Sequence, residues 1–96
     1  MAVVFHIPGP LQGLTGGRRS VQLSTSAESL AEALDDLFIS YPGVRDRLLT
    51  EQGSVREHIN IFVGKEDIRY MDGLATKLGD QAEIVILPAV SGGTPV

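Results

Sequence analysis

Few side chains in this sequence are of types, and at spacings, that do chemistry. The two histidines, His6 and His58, stand apart, and neither has a second ligand type three or four residues away, as a metal site on a strand or helix requires. The acidic pairs Asp35-Asp36 and Glu66-Asp67 read as solvated faces. Neighbouring residues on a strand point to opposite sides, so Glu66 and Asp67 could not share a proton there as a general acid/base couple. "GLTGGRR" is rich in glycine but lacks the G-x-x-x-x-G-K-[ST] spacing of a phosphate-cradling loop and does not run into a helix. No G-x-S-x-G elbow is present. With no cysteine in the chain, disulfides, thiolate metal sites and a cysteine nucleophile are excluded. The expectation is a protein without catalytic residues or a metal centre of its own.

What remains is the tail, "AVSGGTPV". A glycine pair alone carries little, because 11 glycines in 96 residues give about one adjacent pair by chance, and Gly16-Gly17 is another. Position distinguishes Gly92-Gly93. The pair follows the last apolar strand by a few residues, so it should project from the fold. Two residues without side chains let a backbone enter a channel too narrow for any other. Two readings stay open on this evidence: a working arm, or a frayed end.

The elements that would present such an arm read as follows. Val3–Ile7 is a strand stopped by Pro8 and Pro10. The glycines of "LQGLTGGRR" mark a turn, and Ser20–Ser24 alternates as a half-buried strand, giving an N-terminal hairpin with a long loop. "STSAESLAEALDDLF" is the main helix. Thr25 is placed to cap it and Glu28 to complete a capping box. Leu30, Leu34, Leu37, Phe38 and Tyr41 form one apolar stripe, with Glu32, Asp35 and Asp36 off it. Tyr41-Pro42-Gly43 ends this helix, and "VRDRLLTEQ" adds a short second one with Val44 and Leu48 on one side. Ile59–Val63 is a strand, Gly64-Lys65 a turn, and a further strand is expected around Ile68-Arg69-Tyr70. "MDGLATKLGDQ" is a connection anchored by Leu74 and Leu78. The last strand, Ala82 to about Leu87, is apolar enough for the centre of a sheet and is stopped by Pro88. Segregated strands with one main helix mean an α+β fold. The pattern fits the β-grasp, a mixed sheet clasping a helix, over residues 1–90 with a tail at 91–96.

Composition narrows the partners. A formal charge of −4 and a pI near 4.9, with the eight basic residues scattered, argue against a nucleic-acid surface. Five aromatic residues (Phe5, Phe38, Tyr41, Phe62, Tyr70) are too few for base stacking. No apolar run approaches the roughly 20 residues that span a membrane. "MAVVFHIPGP" lacks the basic start of a secretion signal, so a cytoplasmic location is expected.

Four stretches carry a resemblance: "IPGPLQGLTGGRRSV", "YPGVRDRLL", "HINIFVGKEDIRYMDGLATKL" and "EIVILPAVSGG". Together, in this order and over nearly the whole chain, they resemble the ubiquitin-like sulfur carriers. That family includes the small subunit of molybdopterin synthase and the thiamine-biosynthesis sulfur carrier. The likeness is nearest to the branch that holds the actinobacterial carrier for cysteine synthesis. The resemblance implies a β-grasp fold and a working atom on the carboxylate of the motif's last glycine, here Gly93, with Gly92, Ser91 and Val90 as the arm. An ATP-dependent activating enzyme would adenylate that carboxylate, a sulfur donor would convert it to a thiocarboxylate, and a sulfur-accepting synthase would receive the tail. ATP belongs to the partner; this chain is expected to bind no cofactor. Partner surfaces in the family lie on the exposed sheet face, for which Phe62 and Leu87 are candidates, each weighed against a place in the core.

The sequence departs from the family at two points. Thr94-Pro95-Val96 follow the glycine pair, and a β-branched residue and a proline would not thread a glycine-width channel. Removal of these residues by a zinc-dependent protease would expose Gly93; an added sequence, or a paralogue that has lost the chemistry, are the alternatives. Gly79-Asp80-Gln81-Ala82 also replaces the family's usual acidic turn before the last strand. Besides sulfur carriage, two other readings stay open. In one, Gly93 is joined to lysines of other proteins. In the other, the chain is an interaction module with an inert tail.

Overall fold

The computed structural model describes residues 2–79 and 81–88. The Asp80 position of the turn just mentioned lies outside them, as do residues 89–96.

The chain begins with strand β1 (Ala2–His6), whose Val3 and Phe5 point inward while Ala2, Val4 and His6 face out. Pro8 ends it. The expected open loop is instead a 3-10 helix over Gly9–Thr15, with Pro10 in its first turn, where no amide is needed. Its Leu11 and Thr15 are buried, and Thr15 Oγ1 lies within hydrogen-bonding distance of the Gln12 and Arg18 carbonyls. Glycine supplied both the signal for a turn and the stop: Gly16 closes the segment at φ 68 and Gly17 follows at φ 82. Strand β2 (Ser20–Ser24) then returns antiparallel to β1, completing the expected hairpin.

Helix α1 (Leu30–Ser40) starts five residues after Thr25, not at it. Ser29 is the cap: its Oγ accepts the Glu32 N–H at 3.3 Å, and the Glu32 carboxylate accepts the Glu28 N–H at 2.9 Å. Thr25 fails as a cap because its hydroxyl is engaged elsewhere, accepting the Ala27 N–H and donating to the Asp36 carboxylate. The expected stripe is buried at Leu30, Leu34, Leu37 and Phe38, with Ala33 added and Tyr41 packed at its margin. Helix α2 (Pro42–Leu48) begins on Pro42 itself, since proline at the first helical position lacks only an amide that has no partner there. Val44 and Leu48 face the core as expected.

Strand β3 (Ile59–Val63) turns at Gly64, φ 64, into a two-residue strand β4 (Glu66–Asp67). The strand expected at Ile68–Tyr70 is a 3-10 turn: Asp67 Oδ1 accepts the Arg69 N–H at 2.9 Å and bends the chain away from β3. The following segment runs through a second 3-10 turn at Gly73–Ala75, with Leu74 and Leu78 packed against the core and Thr76 buried. Strand β5 (Gln81–Pro88) closes the sheet.

Sheet order is β2-β1-β5-β3-β4, with β5 central, parallel to β1 and antiparallel to β3. The inner face, through Val3, Phe5, Ile61, Ile84 and Ile86, meets the stripe of α1 in one apolar cluster. A mixed sheet clasping one helix is the β-grasp of an α+β protein. Among the described residues no helix is long and apolar enough to cross a membrane.

Candidate functional site

The described residues end with β5 at Pro88, and the register there explains why a proline can stand in that place. The Gly64 N–H donates to the Glu83 carbonyl at 2.8 Å, so Gly64/Glu83 is a hydrogen-bonded pair, and alternation makes Phe62/Val85 and Asn60/Leu87 the others. Pro88, opposite Ile59, falls in a non-hydrogen-bonded pair, and its nitrogen points away from β3. On that side β1 has already ended, because its pairing with β5 stops at His6 and Val85. No ladder bond is lost at Pro88, and β5 carries its last residue beyond the neighbouring strand.

Around this end of β5 lies the outer face of the sheet. Leu87 is 45% exposed and Phe62 is half-buried, each opposite an outward neighbour, Asn60 and Val85 respectively. Neither belongs to the core, which corrects the heavier weight that their apolar side chains gave to a core position. On the same face His6 Nε2 stands 2.9 Å from Glu83 Oε1. That contact accounts for His6 as a partnered surface residue. Sequence reasoning missed Glu83, because it lies next to His6 only once β1 and β5 run parallel. His58 is exposed in the turn before β3.

The proposed working residues Val90, Ser91, Gly92 and Gly93, and the extension Thr94, Pro95 and Val96, lie outside the described residues. Among the described residues there is no group of three or more His, Cys, Asp or Glu placed to hold a metal ion. A cleft of about 590 Å³ does open on the side of β3 away from this face, over Ile59, Ile68 and Leu74, with Arg56 and Arg69 at its border. It was not foreseen, since one of its walls is the 3-10 turn Ile68–Tyr70 that replaces the expected strand.

What the fold defines is a small β-grasp domain whose central strand, β5, is the last element of the described residues. The chain belongs to the ThiS family of ubiquitin-like sulfur carriers, whose model matches residues 5–93. It is 40% identical to the sulfur carrier protein CysO of Mycobacterium tuberculosis over 97% of this chain and all of that one. The crystal structure of that CysO superposes with a TM-score of 0.83 over 92% of this chain and 99% of the other, at 39% identity. The Amycolatopsis orientalis BexX/CysO complex contains a chain that is 35% identical with a TM-score of 0.84, covering 95% of this chain and 99% of that one. Small archaeal modifier protein 3 of Haloferax volcanii is 30% identical over 80% of this chain and 84% of its own length.

Proposed function

We propose that this protein carries sulfur as a thiocarboxylate on Gly93, serving cysteine or related metabolite synthesis in the cytoplasm. The observation that carries the reading is the family match, which runs to Gly93 and stops there, on a tail that continues directly from the central strand. The CysO relatives support sulfur carriage, and the BexX/CysO complex supports a life spent docking to other proteins.

The chemistry follows from what a carboxylate can and cannot do. A peptide carboxylate is a poor electrophile. Attack of the Gly93 carboxylate on the α-phosphorus of ATP, held by an activating enzyme, expels pyrophosphate and leaves an acyl adenylate. Sulfur from a donor then attacks the acyl carbon and AMP departs. The product places sulfur on the chain without a cysteine. A sulfur-accepting synthase takes the tail into its site and removes the sulfur. The domain's part is to present the arm, with Gly92 and Gly93 thin enough to enter both partners and with Phe62 and Leu87 on the face against which they dock. Before any of this, hydrolysis of the Gly93–Thr94 bond by a protease, of the zinc-dependent kind, frees the carboxylate.

The likeness to a small archaeal modifier protein supports a second reading, in which the same activated Gly93 is joined to lysines of other proteins.

ATP–pyrophosphate exchange with the host's activating enzyme tests the proposal. Chain ending at Gly93 should support exchange, and chain ending at Val96 should not. Exchange by neither form, or by both equally, would remove the role assigned to Gly93.

A further inference from the structure

The two edges of the sheet differ in a way the tail does not account for. At one end β4 is only two residues long, Glu66–Asp67, and charged throughout, which discourages another strand from adding. At the other end β2, "SVQLS", runs for five residues with no charge, proline or bulge, in unbroken register with β1. The Ile7 N–H donates to the Arg19 carbonyl at 2.7 Å, so that pair is hydrogen-bonded, and alternation assigns Val21 and Leu23 to the β1 ladder. Ser20, Gln22 and Ser24 therefore turn their N–H and C=O groups outward. Among the described residues none of these groups has a hydrogen-bond partner.

Beside this edge a groove of about 350 Å³ separates β2 from α1, with Leu23, Thr25, Asp36 and Ile39 in its walls. Ile39 is 78% exposed, an apolar side chain on the helix's outer side that the core does not use. The helix wall is strongly one-signed. Glu28 precedes α1, and Glu32, Asp35 and Asp36 lie within it, with no basic residue between Leu30 and Ser40. No lysine or arginine lies within salt-bridge distance of these four carboxylates among the described residues.

We infer that the β2 edge and this groove form a docking site for an extended, basic segment of a partner protein, added to the sheet as a sixth strand. The site is separate from the outer face and from the end of β5 at Pro88, and the inference does not rest on sulfur carriage. Strand addition would satisfy the outward groups of Ser20, Gln22 and Ser24. Alternate side chains of the added strand, those opposite Val21 and Leu23, would enter the groove. Lysine or arginine suits that position, laying an aliphatic stem along Leu23 and Ile39 and carrying its charge to Asp36. A second copy of this chain fits badly, because pairing β2 with β2 would bring two acidic helices to one seam.

Amide NMR of the full chain, titrated with a short capped peptide in which lysine alternates with valine, tests this. The inference expects shifts and slowed hydrogen exchange at Ser20, Gln22 and Ser24. It expects no binding by the same peptide with glutamate for lysine. Gln22→Pro, which removes an outward amide but no bond to β1, should abolish the response. Ile39→Lys, at a position too exposed to disturb folding, should weaken binding about tenfold, the scale of one like-charge contact. The inference is overturned if the lysine peptide shifts nothing, if its shifts map instead to Phe62 and Leu87, or if the glutamate peptide binds as well. It is equally overturned if the β2 amides shift with protein concentration alone, which would make a second copy the occupant.

Discussion

Replacing Leu87 with alanine separates what this residue does for the fold from what it does for a partner. Fully burying a leucine side chain is worth about 1.5–3 kcal/mol. Leu87 is 45% exposed in the free chain, so a partner covering the outer face gains about 0.7–1.3 kcal/mol from it, or roughly three- to tenfold in Kd. The part already covered by its neighbours contributes about 1 kcal/mol to folding, which alanine would forfeit. Ile84, three residues earlier on the same strand but fully buried, supplies the contrast: Ile84→Ala should cost about 2–5 kcal/mol of stability through a cavity in the core. The assay is a pair of measurements on each variant, a urea titration and a calorimetric titration against the activating enzyme. Leu87→Ala should lose affinity and stability in comparable amounts, about 1 kcal/mol each, whereas Ile84→Ala should lose stability with little change in the affinity of the folded fraction. Binding of Leu87→Ala within twofold of the parent would refute the reasoning, since it would show that the partner does not cover this side chain.

Two further substitutions test local structure. Ser29→Ala should cost about 1 kcal/mol in a urea titration by leaving the Glu32 amide uncapped, and Ser29→Asp should restore it. Gly16→Ala should cost about 1–2 kcal/mol of stability, because φ 68 is a left-handed conformation. Nothing lies within 4 Å of the added methyl, so packing contributes nothing to that cost.

Periodicity carried most of the fold. The stripe of α1, the alternation in β1 and β2 and the apolar run Ile84–Leu87 of β5 are patterns of residue type that a linear sequence shows directly. The errors came where side chains compete locally for backbone amides. Thr25 and Ser29 are both able to cap, and only the pairing of Thr25 with Asp36, eleven residues on, decides between them. Asp67 turns the triplet Ile68-Arg69-Tyr70, which reads as strand, into a 3-10 turn. Contacts that need the strand order, such as His6 with Glu83, were out of reach, because nothing local to either residue signals that β1 and β5 lie side by side. The tail is the opposite case: type and position left its glycine pair between a working arm and a frayed end, the family resemblance singled out Gly93, and all of these residues lie outside the described ones.

The central claim is that Gly93 becomes the sulfur-bearing terminus. Intact mass of the chain isolated from its own host, with thiocarboxylates preserved, tests it most directly. The account predicts a species ending at Gly93, part of it heavier by the exchange of one oxygen for sulfur. Finding only the form that ends at Val96, even in cells grown under sulfur demand, would contradict it.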